Sequence, residues 1–138
     1  MRVLGIDYGD KRIGFALSDQ LRIIASPLEV YNRKTLEQDL EYIKNLIESN
    51  QVDTVVIGLP INMDGTMGER AIKTQEFGEL LKQKIDIPIV YIDERWTSKE
   101  SERFLIQSNI RREKRKVLVD KIAAQNILQR YLDMPKGK

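Results

Sequence analysis

Histidine and cysteine are both absent from these 138 residues, and the double absence removes whole classes of chemistry. No Ser-His-Asp or Cys-His nucleophile system can be assembled, nor a zinc knuckle, a histidine-ligated metal or a dithiol redox centre. Any catalysis must fall to carboxylates, lysines or hydroxyls. Long hydrophobic runs are missing too. The longest apolar stretches, such as Val55 to Leu59, fall far short of the ~20 residues of a membrane span, and no signal-peptide pattern precedes Arg2. The expectation is a soluble, cytoplasmic protein with no membrane partner. Neither sign of charge dominates, since 23 basic and 21 acidic residues leave a net charge of +2. The distribution says more, because Arg111-Arg112-Glu113-Lys114-Arg115-Lys116 puts five cations and one anion in six positions.

No linker, repeat or low-complexity tract interrupts the chain, so residues 1–138 are expected to form one domain around one core. Val3-Leu4-Gly5-Ile6-Asp7-Tyr8-Gly9 reads as a first strand running into a turn at Gly9-Asp10-Lys11-Arg12. Ile13 to Ser18 reads as the returning strand. A third strand near Ser26 to Tyr31 carries Pro27 and so belongs at an edge or strand entry. Leu36, Leu40, Ile43 and Ile47 then fall on one helical stripe. Val52 to Leu59, nearly continuous in apolar residues, suits a strand covered on both faces. A turn-rich loop from Pro60 to Gly68 leads to a helix over 69–84, a strand over 87–92, a helix over 98–107 and a last helix over 117–132. The order β-β-β-α-β-α-β-α-α predicts an α/β fold, a five-stranded mixed sheet with helices on both faces, its last two strands parallel to the first.

Three carboxylates fall where such a fold has little use for them. Asp7 interrupts an apolar strand, and an ionised carboxylate in a half-buried sheet needs a cation or several donors to offset lost hydration. The alternative is that Asp7 opens the turn at Tyr8-Gly9. Asp120 shares a helical face with Ala124, Ile127 and Tyr131, where Ala123-Ala124 would let the helix approach the sheet. A preference of the helix N-terminus for acids also accounts for it. Asp93-Glu94-Arg95 follows directly on a strand, at the carboxyl edge where open α/β sheets bind ligands. Alternation sends Asp93 and Glu94 to opposite sides, leaving open which one faces a site, and a surface ion pair with Arg95 is the plainer alternative. If Asp7, Glu94 and Asp120 converge, each pair about 4 Å apart repels by roughly 4 kcal/mol at an effective dielectric near 20. A cation among them would relieve that. Oxygen-only ligation suits Mg²⁺ or Mn²⁺, and such sites support phosphodiester cleavage.

Four segments in order, Asp7-Tyr-Gly-Asp-Lys-Arg-Ile-Gly-Phe-Ala-Leu-Ser-Asp19, Gly58-Leu-Pro-Ile-Asn-Met-Asp-Gly-Thr66, Asp93-Glu-Arg-Trp-Thr-Ser98 and the helix from Asp120 to Asp133, resemble the successive signatures of the YqgF (RuvX) family. The resemblance spans nearly the whole chain. It implies a ribonuclease H-like fold, with the core of the Holliday-junction resolvase RuvC, in a bacterial cytoplasmic protein. It further implies a nuclease that trims the 5′ end of the 16S ribosomal RNA precursor in ribosome biogenesis, an older assignment being junction resolution in DNA. By the same resemblance Asp7 would be the first-strand metal ligand, Glu94 the acid after the final strand and Asp120 the acid of the last helix. The resolvase relatives instead carry an acid after the fourth strand, where this chain has Gly58-Leu59-Pro60, so one or two metals remain open. Ser98 stands where the family usually has threonine.

Substrate contacts are expected from Lys11 and Arg12 beside Asp7, Asn62 in the turn-rich loop, Arg95, and Arg111, Arg112, Lys114 and Arg115 of the basic run. Solvated surface charge is the plainer account of each cation. Trp96 is placed either to stack on an unpaired base or to pack. Two other classes of function compete. Asp-x-Gly before a hairpin also resembles the phosphate loop of actin-like ATPases, but those repeat the element in two domains and this chain has one copy. A non-catalytic nucleic-acid-binding assembly factor would need none of the three acids. Structured RNA, or branched DNA, is the expected partner, bound by a monomer or homodimer.

Overall fold

A computed structural model describes residues 1–62, 64–93 and 112–134, with 112–121 described by backbone alone. Five strands form one sheet: β1 (Arg2–Tyr8), β2 (Arg12–Ser18), β3 (Ala25–Asn32), β4 (Val52–Leu59) and β5 (Ile89–Asp93). Three helices accompany them among the described residues: α1 (Leu36–Ser49), α2 (Glu69–Lys82) and α3 (Arg112–Leu132). The strand order is β3-β2-β1-β4-β5. The first three strands make an antiparallel meander, while β4 runs parallel to β1 and β5 parallel to β4. Pro27 lies on the edge strand, beside a register shift between Phe15 and Ala16 of β2, where its missing N–H costs no ladder bond inside the sheet.

Side-chain alternation divides the core in two. Leu4 and Ile6 of β1, with Val55 and Ile57 of β4, pack against Leu40, Ile43 and Ile47 of α1 and Phe77 and Leu81 of α2. Val3, Val56 and Ile92 face the other way and meet Ala124, Ile127 and Leu128 of α3. Small residues set how closely α3 lies on the sheet. Ala123 and Ala124 are fully buried, and a Cβ built on Gly5 would stand 2.7 Å from Leu128 Cβ and 3.1 Å from the Ala124 carbonyl oxygen. The helix backbone therefore rests on β1 at Gly5. Gln125 and Gln129 lock α3 to the sheet's edge, the first donating to the Ala25 carbonyl at 3.1 Å and the second accepting from the Ala25 N–H at 2.8 Å.

Among the described residues the expected strands and helices recur with shifted ends. One shift matters: α3 begins at Arg112 rather than near Val117, so most of the basic run is helix. β5 opens at Ile89 rather than Ile87 and includes Asp93. The helix expected over 98–107 lies outside the described residues.

Candidate active site

The position of Asp7 follows from strand parity. Val3, Gly5 and Asp7 point to the α3 face of β1, and Leu4, Ile6 and Tyr8 to the opposite face. Asp7 is half-buried near the carboxyl end of the central strand and pairs across to Gly14, which offers no side chain to crowd it. The parallel ladder of β1 with β4 runs to Ile6 opposite Ile57, and that of β4 with β5 runs to Leu59 opposite Asp93. The carboxyl ends of β1, β4 and β5 thus share one edge of the sheet. This is the edge at which parallel α/β sheets take ligands.

The same parity orients the acid that ends β5. Ile92 belongs to the α3-side core, so Asp93, opposite Leu59, points to the α1/α2 face, away from Asp7. Glu94 lies outside the described residues. The Asp93 carbonyl oxygen accepts a hydrogen bond from Arg130 Nη1 at 2.9 Å, tying the exit of β5 to α3. Asp120 is on the α3 backbone four residues before Ala124, hence about 6 Å earlier along the stripe that meets Gly5. Its side chain is outside the described set. Among the described residues, no group of three acidic side chains comes together.

The candidate substrate contacts fall at the same edge or outside the description. Lys11 is exposed in the turn after β1, and Arg12 opens β2. That turn is closed by the Gly9 N–H donating to the Arg12 carbonyl at 2.9 Å, so tightly that a Cβ on Gly9 would stand 2.6 Å from the Arg12 oxygen. Asn62 is exposed, but its amide donates to Thr66 Oγ1 at 3.1 Å and its backbone N–H to the Thr66 carbonyl at 2.9 Å. With Asp64 Oδ1 accepting from the Thr66 N–H and the Thr66 hydroxyl, the loop is internally tied. Arg112, Lys114 and Arg115 are on the backbone of the first turns of α3, the helix that carries Asp120; their side chains, and all of Arg95, Trp96, Ser98 and Arg111, lie outside the described residues. Asp19 closes the first motif at the far end of β2. Its carboxylate accepts from the N–H groups of Ile23 and Ile24, and these bonds, Ile24 foremost, hold it below the usual carboxylate range.

Residues 1–134 match the family model described as RuvX, Holliday junction resolvase. The chain belongs to the RuvX family. Relatives named "Putative pre-16S rRNA nuclease" include one from Halothermothrix orenii, 49% identical over 96% of this chain and 95% of its own length. Another, from Syntrophomonas wolfei, is 47% identical over 96% and 94%. Among solved structures, the fowlpox virus resolvase with substrate Holliday junction DNA superposes with a TM-score of 0.57 at 15% identity, covering 96% of this chain and 97% of that one. RuvC of Thermus thermophilus in complex with a Holliday junction gives 0.52 at 14% identity, covering 89% and 91%. These likenesses establish a ribonuclease H-like, RuvC-type fold.

Two charged residues beside the candidate site escaped the reading of the sequence. Arg33 follows β3, and Asp39 sits in the first turn of α1 with its side chain wholly out of solvent. They form an ion pair, Nε to Oδ2 at 3.2 Å. The signal was present, because Asp39 is three residues after Leu36 and four before Ile43, as misplaced on an apolar stripe as Asp120. Tyr8 was likewise unremarked: it stacks on Phe77 of α2 at 4.0 Å and carries the Arg33 guanidinium 4.6 Å over its ring. Burial raises its phenol above the ordinary tyrosine value, with Arg33 pulling the other way.

Proposed function

We propose that this RuvX chain is a divalent-metal-dependent nuclease that hydrolyses phosphodiester bonds near the 5′ end of pre-16S ribosomal RNA. One observation carries the reading: a half-buried aspartate lies one residue before the end of the central strand on the face that α3 covers, and Asp120 stands on that helix about one turn before the contact of Ala124 with Gly5. Strand parity favours Glu94 over Asp93 as the third acid. The relatives' names supply the RNA substrate. Asp7, Glu94 and Asp120 form an oxygen-only set, which fits Mg²⁺ or Mn²⁺ better than softer metals. A divalent ion bound there would lower the pKa of a water and offset charge on the leaving oxygen.

The chain's own groups bind and orient. Lys11 and Arg12, beside Asp7 at the β1–β2 turn, are set to hold a phosphate. Arg112, Lys114 and Arg115 precede Asp120 on one helix, so a nucleic-acid backbone following that helix is led toward the acids. Arg95, Arg111 and Asn62 complete the proposed contacts.

Cleavage of a panel comprising pre-16S RNA, single-stranded RNA, duplex DNA and four-way junctions, with Mg²⁺ or Mn²⁺, tests the reading. The expected result is metal-dependent cutting of the RNA precursor, reduced about a thousandfold by Asp7→Asn, since several kcal/mol of charge stabilisation is lost. The near-isosteric Asn should leave the fold intact by circular dichroism. Equal cleavage by the variant removes Asp7 from the mechanism. The family description makes branched DNA the second substrate. Preferential junction cutting by a dimer in solution would select it, because symmetric cleavage needs two sites.

A further inference from the structure

The turn between β1 and β2 joins Asp7 to Lys11 and Arg12, and one side chain outside that turn holds it. Arg33 Nη1 donates to the Gly9 carbonyl at 3.1 Å and to the Asp10 carbonyl at 3.1 Å. Its Nε donates to Asp39 Oδ2 at 3.2 Å, and its guanidinium lies over the Tyr8 ring. Residues 8, 9 and 10 are therefore gripped by one guanidinium. The Arg33 N–H adds a bond to the Lys11 carbonyl at 2.9 Å, extending the grip to residue 11. Asp39 is fixed in turn, because its other oxygen, Oδ1, accepts the Lys34 N–H at 2.8 Å while the helix buries it completely.

A buried ion pair is a poor device for stability alone, since desolvation offsets most of the attraction and an apolar pair of similar volume often does as well. What a planar, always-charged fork provides is fixed geometry. Lysine cannot reproduce it. Tyr8, stacked on Phe77, points to the α1/α2 face, and alternation turns Asp7 to the other face. Holding Tyr8 and the two carbonyls after it thus fixes the strand orientation that presents Asp7 and the loop height that presents Lys11.

We infer that Arg33, braced by Asp39, is a positioning residue that orders residues 7–11 so that Asp7 and Lys11 meet metal and phosphate in a fixed arrangement. This rests on the nuclease reading of the same site, and the test separates the two. Amide hydrogen exchange over residues 8–12 and Mn²⁺ affinity by water-proton relaxation are measured on the parent, Arg33→Lys, Asp39→Asn and Asp7→Asn proteins. Arg22→Lys serves as control: it loosens the Arg22–Asp53 ion pair at the far end of the sheet. Expected are cooperative unfolding in every variant, at least tenfold faster exchange over 8–12 in R33K and D39N but not in R22K, and at least tenfold weaker Mn²⁺ binding in R33K. Exchange within twofold of the parent in R33K overturns the inference, as does loosened exchange with unchanged Mn²⁺ affinity. Failure of the parent to bind Mn²⁺ in an Asp7-dependent way sinks the metal-site reading instead, and the exchange data then decide the hold of Arg33 on the turn. If D39N does not fold, R33K alone decides.

Discussion

At the scale of single residues, the missing side chain at position 5 is the constraint that sets the approach of α3 to the sheet. A Cβ there would meet Leu128 Cβ at 2.7 Å, and Leu128 Cβ is anchored to the helix backbone rather than being a flexible tip. Gly5→Ala should therefore push α3 off β1 and cost about 1–3 kcal/mol as overpacking does, measurable as a lower urea midpoint. Because the displaced helix carries Asp120, the same variant should also lose the proposed cleavage. Asp7 and Asp120 were legible in the sequence because an acid within an apolar pattern is conspicuous. Arg33 and Tyr8 were not: an arginine between a strand and a helix looks like solvated charge, and a tyrosine at a strand end is ordinary. Only their neighbours in space, the Gly9 and Asp10 carbonyls and the Phe77 ring, give them a role.

At the scale of elements, local signals explain where most segments start and stop. Thr35 caps α1 by accepting the Gln38 N–H at 3.2 Å while the Gln38 side chain accepts the Thr35 N–H, a reciprocal capping box. Thr35→Ala should cost about 1 kcal/mol in chemical denaturation, and Thr35→Ser should restore most of it. α3 defied the expected start near Val117, because Arg112-Glu113-Lys114-Arg115-Lys116 contains good helix formers and no breaker. Its charge made it look like a loop. Its propensity prevailed, with the consequence that the backbone of the basic run from Arg112 is continuous helix with that of Asp120. The β2–β3 connection carries Arg22 at φ 60°, held by bonds to Asp53 and Thr54 at 3.0 and 2.9 Å. Nothing in a sequence reading announced that tie, since its partners are 31 and 32 residues away.

For the molecule as a whole, buried phenols set a limit on the alkaline side. Burial, then a hydrogen bond to Glu29 at 2.7 Å, pushes Tyr42 up to about 12. Tyr8, Tyr31 and Tyr91 are raised in the same direction, chiefly by burial. Below pH ~10 these groups are neutral in both folded and unfolded chains. Between about 10 and 12 the unfolded chain releases phenolic protons that the folded one retains, so stability present below 10 is lost as pH rises. Urea midpoints at pH 9, 10.5 and 11.5 should fall progressively, and more gently in Tyr42→Phe. An equal slope in that variant would exclude Tyr42 from the effect.

The sequence by itself determined the RuvX family, the order of the described elements, the two-faced sheet and the acids that disturb its apolar patterns, because periodicity and composition are local properties written along the chain. It also removed histidine and cysteine chemistry outright. Tertiary structure decided what depends on registration between distant segments: that Asp7 and Gly5 share the face on which α3 rests, that Asp93 turns away from it, and that Arg33 and Asp39 brace the turn beyond Asp7. The physical reason is that strand parity and helix approach fix side-chain direction only once neighbouring strands are in register.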